Sequence, residues 1–181
     1  MTNQIAEFFR EGRRRPAPAW FIGLCRILFG LLWLYCASWK APPSFGQATG
    51  RGLWYWVQQA IQYPALGWYG RLLDGVVVPN FDLFGWLLFL LELSIGLSLL
   101  VGFLARISSA LGLLMSVNVL IALAAYSPLS FTTYAMMIMF HLLFITTSAG
   151  LNWGVDQILL EKLANSPHRQ TVWGQRLIKI L

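Results

Sequence analysis

The stretch LFGWLLFLLELSIGLSLLVGFL, from Leu83 to Leu104, decides the fold. Its 22 residues carry a single charge, at Glu92. A helix rising ~1.5 Å per residue over that length crosses the ~30 Å hydrocarbon core of a bilayer. Three more stretches read the same way, at 20–37, 107–125 and 129–149. A helix on the surface of a soluble domain shows one apolar stripe, whereas these are apolar around most of their circumference. The whole chain agrees. Of its 181 residues 57% are hydrophobic and 11% charged, and the mean hydropathy is +0.62. Soluble domains carry about a quarter charged residues. A soluble enzyme, a disordered tail and a nucleic-acid binder are thereby excluded. The expected fold class is an all-α integral membrane protein, a left-handed four-helix transmembrane bundle.

Charge sets the orientation. The net charge is +6, and Lys and Arg outside the spans divide into nine on one side (Arg10, Arg13, Arg14, Arg15, Arg106, Lys162, Arg169, Arg176, Lys179) and three on the other (Lys40, Arg51, Arg71). Basic residues collect on the cytoplasmic side, which places both termini there. The chain then divides into a cytoplasmic basic N-terminus (1–19), a four-helix membrane domain (20–149) with an outward segment (38–82), and a cytoplasmic amphipathic tail (150–181). No small-x-small cleavage site follows the first span, so it is read as an anchor rather than a removed leader. The short connections at Arg106 and Pro128 make spans two, three and four antiparallel neighbours.

The outward segment holds Trp39, Trp54, Tyr55, Trp56, Tyr63, Trp68 and Tyr69, residue types that settle at headgroup depth. Trp54, Val57 and Ile61 share a helical face before Pro64, so one or two short interfacial helices are expected, serving as an anchor or as an aromatic lid over a site. In the tail, Val155, Ile158, Leu159 and Leu163 recur at helical spacing. A second amphipathic stretch follows, with Trp173, Leu177 and Leu181 opposite Arg169, Arg176 and Lys179. Lipid contact and docking of a partner are its two readings.

Ionisable groups inside a bilayer are costly and therefore candidate functional residues. Here they are Arg26, Glu92 and His141, with Asn118 beside them. Counted from the cytoplasmic helix ends at ~1.5 Å per residue, they lie roughly 9, 18, 12 and 17 Å deep, in one inner polar layer. Arg26 shares a stripe with Gly23, Gly30, Trp33 and Ala37, small enough on average to pack against another helix. On the second span Glu92 precedes Gly96, Ser98 and Gly102, and on the third Ser108, Gly112 and Ser116 repeat a small-residue spacing. An Arg26–Glu92 ion pair is the central expectation, either fixing helix register or, with His141, exchanging protons with a bound quinone.

His141 follows Met136, Met137 and Met139. It is read as a hydrogen-bonded packing residue, with haem, pigment or copper ligation as the alternative and Asn118 and Trp33 as companions in any cofactor site. Cys25 and Cys36 lie ~16 Å apart along one helix and do not bridge. CxxC, GxGxxG, Walker A and HExxH are all missing, so metal or flavin chemistry has no motif in this chain.

The run Arg26-Ile27-Leu28-Phe29-Gly30 followed by Trp39-Lys40, then Glu92 with Gly96, and Leu99-Leu100-Val101-Gly102-Phe103-Leu104-Ala105-Arg106 leading to Met115 resembles the DoxX/DoxD family of small four-helix membrane proteins. The likeness runs from the first span to the fourth. It implies a bacterial or archaeal plasma membrane and electron transport: DoxD-type proteins are the small membrane subunit of thiosulfate:quinone oxidoreductase. The matching positions are Arg26, Lys40, Glu92 and Arg106. A quinone is then the implied cofactor, Glu92, Arg26 and His141 the catalytic candidates, and Lys40, Arg51 and Arg71 the outward cations available to a thiosulfate dianion. Expected partners are the lipid bilayer and other subunits of a membrane complex. The competing class is a non-catalytic accessory or assembly subunit of a respiratory or photosynthetic complex.

Overall fold

A computed structural model describes residues 18–166, together with Thr171, Gln175 and Ile178. The basic N-terminal run and most of the second tail stretch, including Trp173 and Lys179, lie outside the described residues. Among the described residues all regular structure is helical, without strands. Seven helices are numbered here: α1 (Ala19–Ser38), α2 (Gly52–Gln62), α3 (Gly67–Leu72), α4 (Phe81–Val101), α5 (Ala105–Leu123), α6 (Pro128–Thr146) and α7 (Val155–Ala164). A π-helical turn (Leu73–Val77) and a 3₁₀ turn (Val78–Asn80) carry α3 into α4. Four helices, α1, α4 with its α3 extension, α5 and α6, are long and apolar enough to span a membrane. The protein is an all-α integral membrane protein built on a four-helix bundle.

Large apolar side chains face outward all along these spans, with Leu83, Leu114 and Met139 more than half exposed, as a lipid solvent permits. Inside, Phe29, Trp33, Ile95, Leu99, Met115, Met137 and Phe144 form the core. The α1–α4 pair packs closely because Gly30 and Gly96 face each other's helix. A Cβ on Gly30 would meet the backbone of Gly96 and Leu100, and one on Gly96 would meet Leu34. The small-residue stripe read from the sequence thus serves helix contact.

The second span ends at Val101, three residues earlier than expected, because Gly102 turns into the left-handed region at φ 70°. Leu104 follows at φ 48°, and the chain re-enters a helix at Ala105. This end of the bundle is called the tail end, since α7 packs against it; the opposite end, under α2 and α3, is the loop end.

The outward segment folds as expected into short helices. In α2 the buried face is Leu53, Val57 and Ala60, with Trp54 and Ile61 at its margin, and the helix stops two residues before Pro64. Phe45, fully buried against Phe81 and Gly85, fastens the preceding loop to α4. Tyr55 and Tyr126 meet hydroxyl to hydroxyl at 2.9 Å, tying α2 to the α5–α6 turn.

Candidate functional site

The four intramembrane polar residues do not form one layer. They separate into three places with different chemistry.

At the tail end, Arg26 is fully buried and spends its guanidinium on backbone carbonyls. Nη1 donates to Leu99 O and to Leu100 O (3.3 Å), the last carbonyls of α4; Nη2 donates to Asn152 O (3.2 Å) and Trp153 O (3.1 Å). A cation at a helix C-terminus meets both the unsatisfied carbonyls and the negative end of the dipole. The expected Arg26–Glu92 pair is therefore corrected. Glu92 lies two helical turns further along α4, and its partner is Lys40, whose Nζ donates to Oε1. Asp156, also fully buried, completes the tail-end knot. Its carboxylate accepts from Leu104 N (2.7 Å) and Ala105 N (2.9 Å), capping α5 from the start of α7, while its own amide donates to Gly102 O (2.9 Å). Sequence reasoning missed Asp156. Its signal was an acid at the start of the tail helix, opposite the N-terminus of a span.

Midway through the bundle, His141 is fully buried. Trp33 Nε1 donates to its Nε2 at 3.2 Å, while Nδ1 has no hydrogen-bond partner among the described residues. Phe29 packs edge-on with ring centroids 5.0 Å apart, and Gly112 presses against the imidazole so closely that a Cβ there would overlap it. Trp33 and His141, taken from the sequence as cofactor contacts, pair with each other. Of the two ring nitrogens only Nε2 is engaged, so the contacts describe a packed histidine hydrogen-bonded through one nitrogen.

At the loop end, α4 and α5 part and leave a cavity of about 300 Å³ roofed by α2 and α3. Its walls are mostly apolar: Leu53, Trp56, Val57 and Ala60 from α2, Phe84 and Leu88 from α4, Met115 and Val119 from α5. Its polar groups come in two sets. One is the Lys40–Glu92 pair, Lys40 also standing 5.0 Å over the Trp39 ring. Glu92 is 3% exposed, and its second oxygen, Oε2, has no hydrogen-bond partner among the described residues. The other is Tyr69, whose hydroxyl donates to Asn118 Oδ1 at 2.8 Å. Tyr134 of α6 completes the lining.

Of the sequence candidates, the structure thus brings together Glu92, Asn118 and Lys40 and sets apart Arg26, Trp33 and His141. Arg51 and Arg71 are exposed at the N-cap of α2 and on α3, away from the cavity lining, so Lys40, Arg51 and Arg71 do not converge. Arg106 donates to Ser148 Oγ beside the tail end. Tyr69 and Tyr134 were not singled out as site residues. Tyr134 lies seven residues before His141, on the same buried face, which is the pattern that could have found it. Among the described residues no three His, Cys, Asp or Glu side chains converge as metal ligands.

Apolar walls with a few convergent polar groups, in a cavity of this size between helices, are the features of a candidate small-ligand site in a membrane bundle. Compared with family models, curated proteins and solved structures, the chain gives no match.

Proposed function

We propose that the protein is the membrane subunit of a quinone-linked oxidoreductase of the DoxX/DoxD kind, and that the loop-end cavity takes the quinone headgroup. The observation that carries this reading is the Lys40–Glu92 pair lining an apolar cavity with Glu92 Oε2 unpartnered. A buried carboxylate oxygen left unsatisfied costs free energy that a ligand donor would recover. Lys40 supplies a donor for a quinone carbonyl, and Glu92 an acceptor for the hydroxyl of the reduced form. Tyr69 and Asn118 offer a second polar station, and Trp56 and Phe84 flat apolar surface for a ring. Thiosulfate is the electron donor that the family likeness implies. The subunits meeting it stand outside this cavity, and both termini face the cytoplasm in a bacterial or archaeal plasma membrane.

The test is reduction of a ubiquinone or menaquinone analogue by thiosulfate, with the protein in native membranes. Loss of that activity in Glu92→Gln, at unchanged protein level, is the expected result; full activity in that variant sinks the proposal. One observation favours the accessory-subunit reading: the Arg26 guanidinium is taken up by four backbone carbonyls, as an architectural charge would be.

A further inference from the structure

We infer that the cavity is entered sideways from the lipid, between α4 and α5, and that its natural ligand carries a hydrocarbon tail lying in that gap. This deepens the quinone reading and rests on it for the headgroup alone.

Three observations carry the inference. The first is Asn118. It lies five residues before the end of α5, about 7 Å inside the span, yet it is exposed, an unusual place for an amide unless the helix beside it stands away. Its Oδ1 is met by Tyr69 from α3, the helix that crosses above the gap. The second is the backbone over the gap. Between α3 and α4 the chain widens into the π-helical turn Leu73–Val77, whose two end residues line the cavity, while Leu72 just before it is exposed at the rim. A π-helical turn is a costly local geometry and recurs beside binding sites. The third is the roof. Leu53, Val57 and Ala60 of α2 are buried over the cavity, and the Tyr55–Tyr126 contact ties that helix down, so α2 covers the cavity with apolar packing. The exposed lining residues on the flank of the bundle are Leu72 and Asn118, and an acyl chain would enter past them.

The experiment uses the full chain in lipid vesicles, with Cys25 and Cys36 replaced by Ala and Val119→Cys placed on the cavity wall. The probes are an octadecyl-tailed maleimide dissolved in the bilayer and a sulfonated, membrane-impermeant maleimide supplied on both sides. The tailed reagent should label Val119→Cys about tenfold faster or more, and adding Leu72→Trp at the exposed rim should slow it by a similar factor. Tyr126→Phe, which removes the hydroxyl contact holding α2, should leave that rate unchanged. Faster labelling by the sulfonated reagent, or a rate that responds to Tyr126→Phe and not to the rim variant, overturns the inference. A quinone analogue should protect the cysteine. Sideways labelling without that protection leaves the entry route standing and refutes the quinone reading instead.

Discussion

The two ends of the bundle solve the same problem in opposite ways. At the tail end, the buried charges of Arg26 and Asp156 are met by main-chain groups: four carbonyls for the guanidinium, two amides for the carboxylate. Those partners are helix termini that need satisfying in any case, so the charges close the α4–α5 corner and hold α7 against it. At the loop end, Lys40 and Glu92 meet each other beside a cavity, and one carboxylate oxygen is left over. A charge consumed by the backbone is architecture; a charge pair facing a cavity with spare bonding capacity is a candidate site.

The largest expected effect falls on the tail end. Arg26→Leu leaves four carbonyls without a donor and should cost about 3 kcal/mol or more, seen as loss of assembled protein in membranes. Arg26→Lys should rescue it only in part, because an ammonium has three donors and no planar fork. Asp156→Ala comes next, at about 2 kcal/mol, since it uncaps α5 and strands two buried amides, whereas Asp156→Asn keeps one acceptor and should lose less. Thermal unfolding in detergent reads both.

A smaller effect separates the ends. Lys40→Met strips the counter-charge from a buried carboxylate and should destabilise the protein. Glu92→Gln in the same chain removes that charge and should restore most of the loss, a coupling on the order of 1–3 kcal/mol by double-mutant cycle. If Lys40→Met is neutral alone, the pair is not the buried contact described. The smallest effect is at the roof. The hydrogen bond with Tyr55 pushes the Tyr126 phenol above its ordinary range. A raised value means the protonated form is favoured in the folded state, so the contact is fully present below the ordinary tyrosine pKa of about 10 and is lost as pH rises past the shifted value. Tyr126→Phe should speed amide exchange in α2 at neutral pH and leave the four spans unchanged; equal protection in both proteins would show that the roof does not depend on this contact.

The spans, the small-residue face joining α1 to α4 and the short helix α2 were legible in the sequence because composition and helical period report them directly. The polar partners were not. Helical rise gives the depth of Arg26 and Glu92 but leaves their bearing across the bundle open, and the carbonyls that claim Arg26 have no letter of their own. Lys40 reads as a loop cation just past the first span, yet its four-carbon stem lets the ammonium reach inward to Glu92. Tyr69 reads as part of an aromatic belt, and nothing in its spacing points to Asn118, which its hydroxyl meets from 49 positions away.

The central claim is that the loop-end pair belongs to a ligand site and the tail-end knot does not. Quinone affinity of purified, assembled Glu92→Gln, read by quenching of the tryptophans near the cavity, tests it most directly. The account predicts affinity weakened about tenfold or more with unfolding temperature little changed. Unchanged quinone affinity, or a variant that fails to assemble as Arg26→Leu does, would contradict it.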